Sequence, residues 1–287
     1  MVVDMRHIYA RASAAPGSSR GDRGARAGDP RCQCDGRAGR TEGRVHAQQP
    51  ARIQRKAGRI ADALENHAQS RAVLGRQFAL DSWSYLGGVV SEGQSHLAAR
   101  HADAARRDLA LAVEGLSRTM GPEHQQVVTA RHNLELARAY GGEAAGAVEA
   151  LRALLVRYAP PDPAMRAPLL LSLGTAQRLA GQSADAITTL AEAREAFGSG
   201  VSTELERTQA TAEIGLAQLA LGRFAEARRT LTEALDGFRR IQIAPTPSRA
   251  EVQAGLARAR AGLGRPVEAS ADVPSLRASL NERRQSP

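Results

Sequence analysis

The sequence predicts an all-α chain, a solenoid of stacked helix-turn-helix units preceded by a disordered segment. Three observations carry that prediction. From about residue 59 onward, apolar residues fall at helical spacing between short Gly or Pro breaks, and strand signals are almost absent. A small residue followed four places later by a large apolar one recurs at nearly constant intervals. The first fifth of the chain shows neither helical nor strand periodicity.

Residues 1–55 form the first element, a basic Gly/Arg-rich leader containing RASAAPGSSRGDRGARAGDP and GRAGRTEGR. Such a composition cannot bury enough apolar surface to offset the entropy of ordering, so the leader is expected to be disordered. Residues 1–56 carry +7 of the chain's +9, and the remaining residues are nearly neutral. The high isoelectric point therefore belongs to the leader. It reads as an inert extension, the product of a wrongly chosen start codon, or a basic arm for nucleic acid. Lys56 is the sole lysine, and the bias toward Arg, Ala and Gly looks like coding from GC-rich, bacterial DNA.

Residues 56–80 read as a degraded first repeat or a capping helix. Residues 81–283 hold about five units. Their small/large pairs are Ala105/Leu109, Ala147/Leu151, Ala186/Leu190, Ala227/Leu231 and Ala269/Val273, with alanines 42, 39, 41 and 42 residues apart. Twelve residues before each alanine stand Gly93, Glu135, Gly174, Gly215 and Ala257. Five residues before each of the last four alanines is a glycine: Gly142, Gly181, Gly222 and Gly264. A fixed glycine between two helical stretches suits a helix end that needs a left-handed residue. Each unit thus reads as helix, tight turn, helix. The small residues let the two helices approach, and the large one fills the groove between them. A single such unit cannot bury its own apolar face, so neighbours must stack.

These units resemble tetratricopeptide repeats, whose pattern runs W-x2-L-G-x2-Y, then A-x3-F, then Pro. Leu173-Gly174 with Gly181, Ala186, Leu190 and Ala193 fits, as does Ile214-Gly215 with Gly222, Phe224, Ala227, Leu231 and Ala234. The long period and the Met120-Gly121-Pro122-Glu123-His124 loop are similar to the kinesin light chain variety, found in bacteria behind serine/threonine kinases and regulators. Trp83-x2-Leu86-Gly87 matches the motif's opening but stands six residues too far from Ala105, so the first unit has an insertion or a frame starting at Gly93. The family's Tyr is replaced by Arg138, Gln177, Gln218 and Arg260. Pro266 and Pro274 suggest a broken or capping final helix.

The resemblance implies a concave groove, lined by the first helix of each pair, that takes an extended or helical peptide. The groove-facing positions are His132, Asn133 and Tyr140, then Thr175 and Arg178, then Leu216 and Leu219, then Arg258. Asn133 offers both a donor and an acceptor to a peptide backbone. Arg178 and Arg258 offer forked donors to carboxylates, which favours an acidic ligand. Each of these side chains is equally compatible with an ordinary solvated helix face.

Enzymatic chemistry is not expected. A P-loop needs G-x4-G-K-[ST], and Lys56 follows no glycine-rich loop. H-R-D, D-F-G and H-E-x-x-H are absent, and the one G-x-S-x-G, beginning at Gly17, lies in the leader without a strand before it. Cys32 and Cys34 lack a second ligand pair, and His96 and His101, five apart, do not share a helical face. No catalytic residue, metal or cofactor is therefore predicted. No run approaches the roughly 20 apolar residues that span a bilayer, and two cysteines give no disulfide framework, so a cytoplasmic location is expected. The leading expectation is a protein-protein interaction scaffold. The alternatives are the detached regulatory or substrate-docking tail of a kinase or transcriptional regulator, and a nucleic-acid binder acting through the basic arm.

Overall fold

The computed structural model describes residues 50–77, 79–158 and 163–264. The expectations for the leader up to residue 49, for Ala269/Val273 and for the prolines at 266 and 274 lie outside the described residues. Among the described residues the secondary structure is helical, with no strand.

A short helix over residues 50–56 (α1) precedes α2 (Ile60–Gln77). The pairs that follow are α3 (Trp83–Ala98) with α4 (Ala102–Met120), α5 (Gln125–Tyr140) with α6 (Ala144–Tyr158), α7 (Pro163–Leu179) with α8 (Ser183–Ala196), and α9 (Glu204–Ala220) with α10 (Phe224–Arg240). Helix α11 (Pro247–Gly262) begins a fifth unit. From α2 onward, each helix packs on the next in sequence. The first helices also touch one another along the array: α3 on α5, α5 on α7, α7 on α9 and α9 on α11. This is the helix-turn-helix array read from the sequence.

The repeat positions explain how each pair closes. Ala105, Ala147, Ala186 and Ala227 are all fully buried, and so are Leu109, Leu190 and Leu231. These leucines lie over the glycines twelve residues before the alanines. A Cβ placed on Gly93 would sit 2.7 Å from Leu109 Cγ, on Gly174 2.5 Å from Leu190 Cγ, and on Gly215 2.7 Å from Leu231 Cγ. Nothing larger than hydrogen fits there, because protein interiors are packed at close to crystalline density. The first unit therefore takes the frame set by Gly93. Gly87 has open space around it instead. Leu86 serves a second seam, for a Cβ on Gly115 of α4 would lie 2.5 Å from its Cδ1.

The turns within the pairs follow one pattern. Gly142, Gly181, Gly222 and Gly264 have φ of 98°, 80°, 71° and 69°. Their amides bond back to Ala139, Arg178, Leu219 and Ala261 carbonyls, which terminates the preceding helix. In the first unit the same position is Arg100, at φ 61°, with its amide bonded to the Leu97 carbonyl. His124 caps α5 by accepting from the Gln126 amide at 3.2 Å.

One boundary differs from the sequence reading. That reading places residues 50–55 in the disordered leader, yet they are helical and Ala51 is fully buried. Arg55 bonds to Gln94, 39 residues along the chain, a contact about which local periodicity carries no information.

Candidate functional site: the inner face

The first helices bring a polar cluster together along the side where they stack. Arg100, just past α3, donates to both carboxylate oxygens of Glu251 on α11, at 2.9 Å and 3.1 Å. Its guanidinium also lies 4.2 Å from the centroid of the Tyr140 ring, at the end of α5, in cation–π contact. In the last turn of α7, Arg178 Nε donates to Glu213 Oε2 of α9. That pair is well buried, with 16% and 7% of the side chains exposed.

The electrostatics follow from this enclosure. Burial opposes the Arg100 cation, but its neighbours Tyr140 and Glu251 outweigh it, holding the guanidinium more firmly protonated than usual. Burial pushes the Tyr140 phenol upward, partly countered by Arg100. For Arg178 burial is again opposed and overcome, here by Glu213. The cluster is a closed set of charges at neutral pH. Each of its two arginines is matched by one glutamate.

Of the residues predicted to face a ligand, Tyr140 and Arg178 join this cluster. The others go elsewhere. His132 is buried with Nδ1 3.0 Å from Ser172 Oγ, tying α5 to α7, and burial lowers its pKa to about 4. Asn133 is buried and donates one turn back to the Thr129 carbonyl at 2.8 Å. Thr175 is buried. Leu216 and Leu219 pack toward the next unit, where a Cβ on Gly255 would meet their Cδ2 atoms at 2.8 Å and 3.6 Å. Arg258 is exposed on α11. Arg178 already has a carboxylate, so the case for an acidic ligand loses its main support.

Sequence reasoning missed Arg100, Glu213 and Glu251. Arg100 left a signal: it is the one member of the aligned turn positions that is not glycine. The two glutamates left none, because what they face is set by the stacking of helices 35 and 151 residues from their partners.

A second polar group lies between α2, α3 and α4. Arg71 bridges Glu92 at 3.1 Å and Asp108 at 3.3 Å, and His96 Nε2 lies 3.7 Å from Asp108. Glu92, His96 and Asp108 could gather ligand atoms around a metal ion, but the Arg71 guanidinium already supplies positive charge between the carboxylates. His96 and His101, set apart by their helical spacing, are in contact with ring nitrogens 3.4 Å apart. They meet because the chain turns between α3 and α4, which a single-helix projection ignores.

Fold and face together describe a helical repeat array of tetratricopeptide type with a polar inner surface. No family model matches the chain, and no curated protein matches it. Among solved structures it is similar to a putative kinesin light chain from Podosopora anserina with nearly identical TPR-like repeats, at 22% identity and a TM-score of 0.46, covering 69% of this chain and 94% of that one. A point-substituted form of the same protein matches at 21% identity and 0.46, covering 69% and 95%. At that identity and score the likeness assigns no residue a role, and the repeat reading rests on the packing described above.

Proposed function

We propose that the chain is a non-catalytic scaffold that holds a protein or peptide partner on the inner face of the array. The observation that carries this is the cluster of Arg100, Tyr140, Arg178, Glu213 and Glu251 along the stacked first helices. An array held together by apolar seams does not require such a cluster, and desolvated ion pairs are seldom the cheapest way to stabilise a fold. Polar and aromatic groups set along one continuous surface do suit recognition of another chain. No described helix is long and apolar enough to cross a membrane. The reading as a detached kinase or regulator tail shares this binding face and differs in what once preceded it. The basic-arm reading concerns a leader of which only residues 50–55 are described.

The test is site-specific photo-cross-linking of the full chain in extracts of its source cells. A photoreactive phenylalanine replaces either Arg258, exposed on first helix α11, or Arg229, exposed on second helix α10. A partner held on the inner face gives adducts at 258 and not at 229. Adducts at 229 alone, or at neither position, overturn the proposal.

A further inference from the structure

Residues 50–58 contact two parts of the array more than a hundred residues apart. On one side Arg55 Nη2 donates to Gln94 Oε1 of α3 at 3.1 Å. On the other, the Lys56 ammonium donates to Glu206 Oε1 of α9 at 3.0 Å and to the Ser202 carbonyl at 3.5 Å. The Ala244 amide, in the link from α10 to α11, donates to the Ala57 carbonyl at 2.9 Å. Gly58, at φ 77°, lies against that link, and a Cβ there would come 2.8 Å from the Ala244 oxygen and 2.9 Å from Ile243 Cγ1. Ala51 is fully buried. The Arg100–Glu251 pair spans the array between α3 and α11 in the same sense.

We infer that residues 50–58 are an internal ligand of the array, and that the external partner is a short basic helical segment which displaces it. The inference rests on the scaffold reading and adds to it both an occupant and a chemistry. What the segment presents is small at Ala51 and cationic at Arg55 and Lys56. What the array presents to those cations is a set of acceptors: an amide oxygen, a backbone carbonyl and a carboxylate. The surface therefore selects positive charge, opposite to the acidic ligand suggested by the sequence. The ion pair that holds the segment to α9 is partly open to solvent. The Lys56–Glu206 pair is 44% and 27% exposed, and exposed pairs contribute little. Tethering compensates by giving the segment a high effective concentration. A partner sees only the fraction of molecules in which the segment has left, and its apparent affinity falls by that fraction.

The test uses the full chain. Gly58→Ala adds a methyl group against the Ile243–Ala244 link. Gly142→Ala is the control, having positive φ but open space around the position. In hydrogen exchange read by mass spectrometry, Gly58→Ala should speed exchange of residues 50–58 and of the Ala244 amide at least about ten-fold, as local opening does. Gly142→Ala should leave both unchanged. Lys56→Glu, which alters no backbone, should act in the same direction, and Lys56→Glu with Glu206→Lys should restore protection. A labelled peptide with the sequence of residues 50–60 should bind the Gly58→Ala chain about ten-fold tighter than the wild type. The same peptide with its Arg and Lys residues replaced by Glu should not bind. Unchanged exchange in both Gly58→Ala and Lys56→Glu, equal peptide binding to wild type and variant, or equal binding of the two peptides would overturn the inference. Exchange requires no partner, so failure of the scaffold reading shows separately, as missing cross-links with the exchange result intact.

Discussion

The seams inside the helix pairs and the inner face are made by the same first helices, yet they are built by opposite means. At the seams a leucine of the second helix lies on a glycine of the first, as Leu109 does on Gly93, Leu190 on Gly174 and Leu231 on Gly215. Each such contact is short-range in sequence and recurs with the repeat. At the inner face the contacts are polar, do not recur, and join units far apart, as Arg100 does with Glu251. The turn positions show the contrast in a single site. Four units place glycine there, where positive φ costs nothing, and the first places Arg100. An L-residue in the left-handed region loses roughly 1–2 kcal/mol, so the clasp to Glu251 and Tyr140 is made at the expense of local backbone comfort. Such a departure fits the proposal that this face holds a partner.

The largest effect is expected at a seam. Leu231→Ala removes a fully buried side chain and should cost about 2–5 kcal/mol, measured by urea unfolding followed by circular dichroism. A smaller loss would mean that the seams do not carry the array. On the inner face, Glu213→Gln strips the buried Arg178 of its counter-charge and should cost about 1.5–3 kcal/mol. A neutral result would place Arg178 in water. Ala186→Leu overpacks a fully buried seam position and should cost about 1–3 kcal/mol. Ala184→Leu, exposed on the same helix, should be almost silent. Equal tolerance at the two would break the seam assignment.

Acid separates the two regions in another way. His132 sits neutral between α5 and α7 with its pKa lowered to about 4 by burial, from an ordinary 6.5. The unfolded chain therefore binds the proton more readily. Stability is complete above about pH 6.5 and drains away as pH falls through the window down to about 4, and between pH 7.5 and 5.5 one such histidine accounts for about 1 kcal/mol. His67, also lowered to about 4 by burial and by Arg55 and His96, acts in the same direction. His132→Gln should shrink the difference between unfolding free energies at the two pH values. An unchanged difference would show that His132 is not enclosed. The smallest net effect is expected from Arg100→Gly, which loses the clasp but relieves the left-handed strain. Arg100→Ala loses the clasp and keeps the strain, so it should be less stable than Arg100→Gly by about 1 kcal/mol. If the two variants are equal, the positive φ at this turn is not an obligation of the fold.

Much of the fold was legible because the residues that decide it are near one another in the chain. The spacing of Ala105, Ala147, Ala186 and Ala227, and the glycines before them, gave both the seams and the turns. The inner face was legible only in part. Tyr140 and Arg178 join the polar cluster, while His132, Asn133, Leu216 and Leu219 are drawn into packing or into bonds of their own helix. An offset on a helix gives a direction. It does not say whether a neighbouring unit already occupies the space, and here α7 takes His132 while α11 takes Leu216 and Leu219.

By itself the sequence determined the helical repeat and the glycine turns of its later units, since helix periodicity, small-residue seams and left-handed glycines act over a few residues or within one unit. The tertiary structure decided which charges meet. The pairing of Arg100 with Glu251, of Lys56 with Glu206, and of the Ala57 carbonyl with the Ala244 amide depends on how successive units stack and bring distant turns of the chain face to face. That stacking is the sum of many small rotations between packed helices, and no local pattern of residues encodes where the sum brings two side chains together.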